Sequence, residues 1–196
     1  MSYNNDTLAL FPNRVVVSKA QEFDWYDDLI HWIEDYQQTH KGVEVSNVGG
    51  YQSRGNFYTD DDSFEPFRQK IWKHIEDAVQ TYADGIELHD IITGGDSLRL
   101  MNIWFNVNTP GSFNHVHVHP GSLLSGVLWI KTPKRSGDLM FRDPSEMNNY
   151  CLGVNCVAFP PTEGTMILFP SHVPHNVGVN ESEETRISLS FNLDFG

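Results

Sequence analysis

Near the end of the chain, eight residues alternate strictly between two kinds of surface, Arg186-Ile-Ser-Leu-Ser-Phe-Asn-Leu193. Successive side chains of a strand point to opposite faces, so Arg186, Ser188, Ser190 and Asn192 share one face while Ile187, Leu189, Phe191 and Leu193 share the other. With the apolar face packed outward under helices, the polar face lines an interior that holds one fixed guanidinium and two hydroxyls. Such a face suits a carboxylate, because Arg offers a planar bidentate fork and Ser adds a hydroxyl donor.

A second alternation stands upstream. His115, His117 and His119 are separated by Val116 and Val118, so a strand here carries imidazoles on one face and valines on the other. Neutral imidazole is the commonest protein ligand of transition metals, and an i, i+2 pair on a strand presents two nitrogens to one ion. A third ligand has to come from elsewhere. His172 and His175 offer one, in the Pro-rich turn Phe169-Pro-Ser-His-Val-Pro-His-Asn-Val177 that follows the apolar run 165–169. One histidine on a strand is ordinary surface, but three alternating ones followed by a distal histidine and an Arg-x-Ser strand favour a metal site.

The chain's 196 residues fit one domain, 1–196, large enough to bury roughly 70% of the unfolded surface. Its net charge of −13, from 26 acidic against 13 basic residues, repels polyphosphate and argues against nucleic-acid binding. A small or cationic substrate fits that charge better. No basic segment leads into an apolar run at the start, and no stretch approaches the length of a membrane span, so a cytoplasmic protein without a membrane partner is expected. Cys151 and Cys156 are too few for a disulfide scaffold and read as unpaired loop thiols.

In chain order, residues 8–17 read as an opening strand. Trp25, Leu29, Trp32, Ile33 and Tyr36 then fall on one helical face, with Gly42 ending the helix. Residues 45–62 lack a helical period and read as a loop with at most a short strand. Asp62 or Ser63 can cap a second helix with Pro66 in its first turn and Phe67, Ile71, Ile75, Ala78, Val79 and Tyr82 on its buried side. After about residue 95 the pattern becomes β, with strands predicted over 98–107, 115–119, 123–131, 138–142, 165–169 and 186–193; residues 147–161 read as a long loop. Helices followed by short strands indicate an α+β chain whose helical part, about 1–95, flanks a jelly-roll core, about 96–196. In the first of these strands Asn102, Trp104 and Asn106 share a face, which suits the wall of a polar cavity.

Four segments together, Ser46-Asn-Val-Gly-Gly-Tyr-Gln-Ser53, His117-Val-His-Pro120 with Ser125-Gly-Val127, Phe169-Pro-Ser171 with His175, and Arg186-Ile-Ser-Leu-Ser-Phe-Asn192, resemble a family of small 2-oxoglutarate/Fe(II)-dependent oxygenases of marine bacteria and phages. The resemblance runs from about residue 10 to 192. It implies a double-stranded β-helix (jelly roll, cupin-like) and a dioxygenase that oxidises a substrate with O2 while 2-oxoglutarate becomes succinate and CO2. It also implies Fe(II) held by His117, His119 and His175, and Arg186 with Ser188 on the distal carboxylate of 2-oxoglutarate. His115, Trp104 and Asn106 remain for orienting a ligand or meeting substrate. A competing pair is His115 with His117, and His172 competes with His175.

The pattern departs from the superfamily's usual two histidines and one carboxylate, because His119 stands where the acid would be and the nearest acids are Asp138 and Asp143. Either three histidines bind the metal or two do and water takes the remaining place. Three neutral ligands leave one more positive charge on the metal, which strengthens binding of a dianionic cosubstrate. Two other classes stay open: a three-histidine cupin-type metalloenzyme without 2-oxoglutarate, and an inactive jelly roll acting as a binding module. The substrate, small molecule or side chain, is not legible, and jelly-roll edges can pair two copies into a homodimer.

Overall fold

The computed structural model describes residues 13–19, 24–86, 98–144 and 155–195. Its first strand, β1 (Val16–Lys19), lies at the end of the 8–17 segment, most of which is outside the described residues. Helix α1 (Tyr26–Thr39) buries Leu29, Ile33 and Tyr36, the stripe expected from their spacing, and carries Asp27 and Asp28 in its first turn, where they oppose the helix dipole. It ends at His40 rather than at Gly42. Gly42 has a different use: a Cβ there would sit 2.8 Å from the ring of Tyr51.

Short strands β2 (Asn47–Val48) and β3 (Tyr51–Gln52) and the single turn α2 (Phe57–Asp60) occupy the 45–62 segment. The cap of the next helix is Asp61, one residue before the expected Asp62. Its carboxylate accepts from the Ser63 amide at 2.9 Å and starts a 3-10 turn, Asp62–Phe64. That turn runs into α3 (Glu65–Ile86), with Pro66 in its first turn, where a missing amide costs nothing, and with Phe67, Ile71, Ile75 and Ala78 buried.

The remaining strands are β4 (Leu98–Asn108), β5 (Phe113–His117), β6 (Leu124–Lys131), β7 (Leu139–Arg142), β8 (Cys156–Phe159), β9 (Thr165–Pro170), β10 (His175–Val177) and β11 (Arg186–Phe195). They form two antiparallel sheets, one ordered β1-β9-β6-β11-β4-β3 and the other β2-β5-β10-β7-β8. The expected double-stranded β-helix is borne out. Within the segment expected as a loop over 147–161, residues 156–159 form β8 on the edge beside β7, and residues 145–154 lie outside the described residues.

The alternation in β11 sorts as expected. Ile187, Leu189, Phe191 and Leu193 join α1 and α3 in one core, which also takes Ile103, Phe105, Leu124, Leu128, Met166 and Leu168 from the neighbouring strands. A smaller second core, Val127, Trp129, Leu139, Phe141, Ile167, Phe169 and Val173, lies between the two sheets. The fit in the first core is close enough that Gly126 must lack a side chain, since any Cβ there would collide with the Phe191 ring. Helices therefore seal one face of the larger sheet, and its other face, with Arg186 and the serines, looks into the roll.

Candidate active site

The histidines meet because of strand register. In the antiparallel pair β5 and β10, His117 stands opposite His175, and their rings lie 4.4 Å apart. His119 has left the strand, which ends at His117; Pro120 has no amide for a ladder and Gly121 turns the chain at φ +77°. Its position is fixed by the His119 amide, which donates to the Ser171 carbonyl at 3.0 Å. The result brings His119 Nε2 to 3.1 Å from His175 Nε2, and one ring nitrogen from each of the three histidines lies within 4.8 Å of the others.

Local hydrogen bonds decide which nitrogens are offered. His117 Nδ1 stands 2.7 Å from the His115 carbonyl and His175 Nδ1 2.9 Å from the Val173 carbonyl. A carbonyl only accepts, so each Nδ1 carries the proton and each Nε2 keeps its lone pair. Burial pushes the His119 pKa down to about 3 and that of His175 to about 4, with His117 lowered for the same reason; the neighbouring imidazoles lower His119 and His175 further. The trio is neutral at neutral pH, the form that ligates metal. Phe169, 4.7 Å from His175, and Trp104, 5.7 Å from His119, wall it.

Arg186 is only 1% exposed. Its Nη1 donates to the carbonyls of Ser136, Gly178 (3.2 Å) and Gly137 (3.4 Å), while Nε and Nη2 have no partner. The guanidinium lies over the Trp129 ring at 5.9 Å. Burial alone lowers its pKa, to about 10, so it stays charged at neutral pH. A buried charge without a counterion costs several kcal/mol. Trp129 Nε1, the Ser136 hydroxyl and the side-chain amide of Asn108, opposite Arg186 in the β4–β11 register, are buried and likewise unpartnered, so this end of the roll gathers unsatisfied polar groups in which donors outnumber acceptors. Ser188, 5% exposed, and Ser190 line a small inner cavity that also touches the three histidines, Trp104 and Asn106.

On the histidine side, away from Arg186, a polar ladder crosses the larger sheet. Ser125 Oγ donates to Asn192 Oδ1 (2.7 Å), Ser171 Oγ donates to Ser125 Oγ (2.7 Å), and Asn192 Nδ2 donates to Asn102 Oδ1 (2.8 Å). The same Ser171 that holds His119 thus ties β9, β6, β11 and β4 together. The Ser125-Gly-Val and Phe-Pro-Ser171 segments owe their polar residues to this ladder.

The expected residues divide clearly. His117, His119 and His175 come together; among the described residues their cluster includes no carboxylate, so neither Asp138 nor Asp143 completes it. His115 does not join them. It is exposed, edge-on to Phe113 at 5.1 Å, and contributes its carbonyl to His117. His172 lies apart, 3.1 Å from Asn13 Oδ1. Asn106 is buried with its Oδ1 unpartnered. Val116 and Val118, expected as an apolar face, are 47% and 39% exposed and edge an outer cleft of about 480 Å³ that shares His117, His119 and Trp104 with the inner cavity. Trp129 and Ser136 were not legible as site residues. Trp129 sits in the apolar run 126–130 of β6, where a lone indole N–H gives no periodic signal.

Residues 102–192 match a protein-family model described as "Putative 2OG-Fe(II) oxygenase". No curated protein matches the chain in sequence. Solved structures share the fold at low identity. A Pseudomonas putida prolyl-4-hydroxylase is 17% identical over 93% of both chains with a TM-score of 0.63. HygX from Streptomyces hygroscopicus, solved with nickel and 2-oxoglutarate, is 9% identical over 92% of this chain and 82% of its own, at 0.62. The epimerase SnoN of nogalamycin biosynthesis, solved with Fe3+ and alpha-ketoglutarate, is 12% identical over 93% and 79%, at 0.64. The family match agrees with the enzyme class and cosubstrate implied by the sequence motifs, and these structures agree with its fold. No helix among the described residues is long and apolar enough to cross a membrane.

Proposed function

We infer that the chain is an Fe(II)- and 2-oxoglutarate-dependent oxygenase in which His117, His119 and His175 hold the metal and Arg186 with Ser188 holds the far carboxylate of 2-oxoglutarate. The observation that carries this reading is the pairing, inside one roll, of three neutral imidazoles whose ring nitrogens converge with a buried guanidinium that has no counterion. Both halves fit the group: the imidazoles suit a divalent transition metal, and the unpaired donors suit a carboxylate. A three-histidine enzyme without 2-oxoglutarate would leave Arg186 unsatisfied, and a metal-free binding module would leave converging ring nitrogens with nothing between them.

When bound, iron, 2-oxoglutarate and O2 supply the oxidising power for attack on a substrate C–H bond. The chain's own residues do the rest. The His115 and Val173 carbonyls hold the tautomers of His117 and His175, and the Ser171 carbonyl holds the loop that carries His119. Arg186 and Ser188 set the depth and direction of the cosubstrate through a charge-assisted fork. Phe141, Phe169 and Trp104 surround the histidines and exclude water. Kinship with the small enzymes of marine bacteria and phages, and a cytoplasmic setting, are part of this proposal, since a reducing compartment suits both free thiols and Fe(II).

The test is turnover of the cosubstrate itself. With Fe(II), ascorbate and O2, the purified chain should convert 2-oxoglutarate slowly to succinate even without a substrate, and His175→Ala should abolish this. Metal uptake without succinate would favour the enzyme that lacks 2-oxoglutarate.

A further inference from the structure

The outer cleft contradicts the charge of the protein that carries it. The chain has 26 acidic and 13 basic residues, yet no aspartate or glutamate lines the cleft, not even Glu44, which lies in sequence between the lining residues Val43 and Val45. Its one full charge is Arg54, exposed at the mouth. Among the described residues Arg54 makes no ion pair. Asp60 and Asp61, which act on Tyr36 together with Arg54, accept from Thr59 and Ser63 instead.

The rest of the cleft is aliphatic at its rim and polar deeper in. Val45, Val116 and Val118 are 75%, 47% and 39% exposed, an arrangement that exposes apolar surface beside a cavity of about 480 Å³, within the ordinary range of about 300–1,000 Å³ for small-molecule sites. Gln52 lines the same cleft, is 7% exposed, and its Oε1 has no partner. An unpartnered amide, an unpaired guanidinium and bare valines around the mouth of a catalytic cavity are complementary to a ligand with three matching parts.

Building on the oxygenase reading, we propose that the substrate is a small carboxylate with an aliphatic body, its carboxylate on Arg54, its aliphatic part against Val45, Val116 and Val118, and a polar group within reach of Gln52. This reverses the expectation drawn from net charge. The acidic surface elsewhere repels anions at long range, but screening limits that field to roughly 8–10 Å at physiological salt, and the cleft itself presents only positive and neutral groups. An amine of the same shape would meet Arg54 with like charge.

The test uses the full chain and three probes of one shape, hexanoate, hexanamide and hexylamine, with affinities read by saturation-transfer NMR. Hexanoate should bind about fivefold more tightly than hexanamide, the scale of a partly exposed ion pair, and hexylamine more weakly still. That preference should vanish in Arg54→Ala, return in part in Arg54→Lys, and survive in Arg186→Met, which separates the cleft from the cosubstrate pocket. Equal binding of acid and amide, tighter binding of the amine, or a preference that survives Arg54→Ala and disappears with Arg186→Met would overturn the proposal. Failure of the oxygenase reading appears elsewhere, as wild-type protein that does not bind 2-oxoglutarate while the Arg54-dependent preference persists.

Discussion

The two polar ends of the roll's interior are opposites. At one end three imidazoles converge, two of them, His117 and His175, with their protons turned outward onto backbone carbonyls, an array that suits a cation. At the other, the donors of Arg186, Trp129 Nε1 and Ser136 outnumber the one unpartnered acceptor beside them, Asn108 Oδ1, an array that suits an anion. The outer core under the helices has no such needs, because Ile187, Leu189, Phe191 and Leu193 fill it with apolar surface. One strand, β11, carries both kinds of face. The difference shows that polar groups awaiting a partner concentrate on the inward face of β11 and its neighbours, where the proposed metal and dicarboxylate would satisfy both ends at once.

Removing a ligand should have the largest effect. His175→Ala deletes a nitrogen from the centre of the trio and is expected to weaken Fe(II) or Mn(II) binding at least about a hundredfold, more than loss of a supporting residue alone would cause; calorimetric titration with Mn(II) would measure it. Next is Arg186→Met, which should divide the two ends. Cosubstrate affinity should fall roughly a hundredfold as a buried charge-assisted contact is lost. The metal-free protein should melt at an equal or higher temperature, since an uncompensated buried charge has been replaced by packing. An Arg186→Met variant less stable than the parent would mean that Arg186 is already satisfied by its carbonyl contacts.

The imidazole end has a pH signature. His119 and His175 are held near 3 and 4 in the folded chain, against about 6.5 unfolded, so below 6.5 the unfolded chain binds protons that the folded chain does not. Stability of the metal-free protein should therefore be level above pH 6.5 and fall as the pH drops from there toward 4 and 3. Saturating metal should raise stability without flattening that decline, because the metal-bound fold takes up no more protons than the metal-free one while the unfolded chain still binds them; thermal melts across pH 4–8 with and without Mn(II) would show it. The smallest expected effect is that of Ser188→Ala, a loss of about five- to tenfold in 2-oxoglutarate affinity with metal binding unchanged, the scale of one hydrogen bond.

Much of this division was legible in the sequence, because period-2 alternation reports which side chains share a face. Arg186 and Ser188 were placed by it, and so was the outward packing of Phe191. The histidine trio was legible as a group but not as a strand. His119 joins the others from a turn, held by Ser171, and alternation is silent about residues that leave the ladder. Alternation put Val116 and Val118 on one apolar face but not where that face lies; both are exposed and edge a cleft. Trp129 was invisible because a strand buried on both faces reads as uniformly apolar. Gln52 belongs to a segment, 49–52, whose sequence suits either a substrate wall or a surface loop, and the fold places it in the cleft; Arg54 lies on the same stretch without a period, and only the fold brings it there.

The most direct measurement is an anaerobic absorption titration in which Fe(II) and then 2-oxoglutarate are added to the metal-free protein. The pairing of the two ends predicts a visible charge-transfer band only when both are present, lost in His175→Ala and needing far more 2-oxoglutarate in Arg186→Met. Bound iron with no band at any 2-oxoglutarate concentration, or a band with the same 2-oxoglutarate dependence in Arg186→Met, would contradict it.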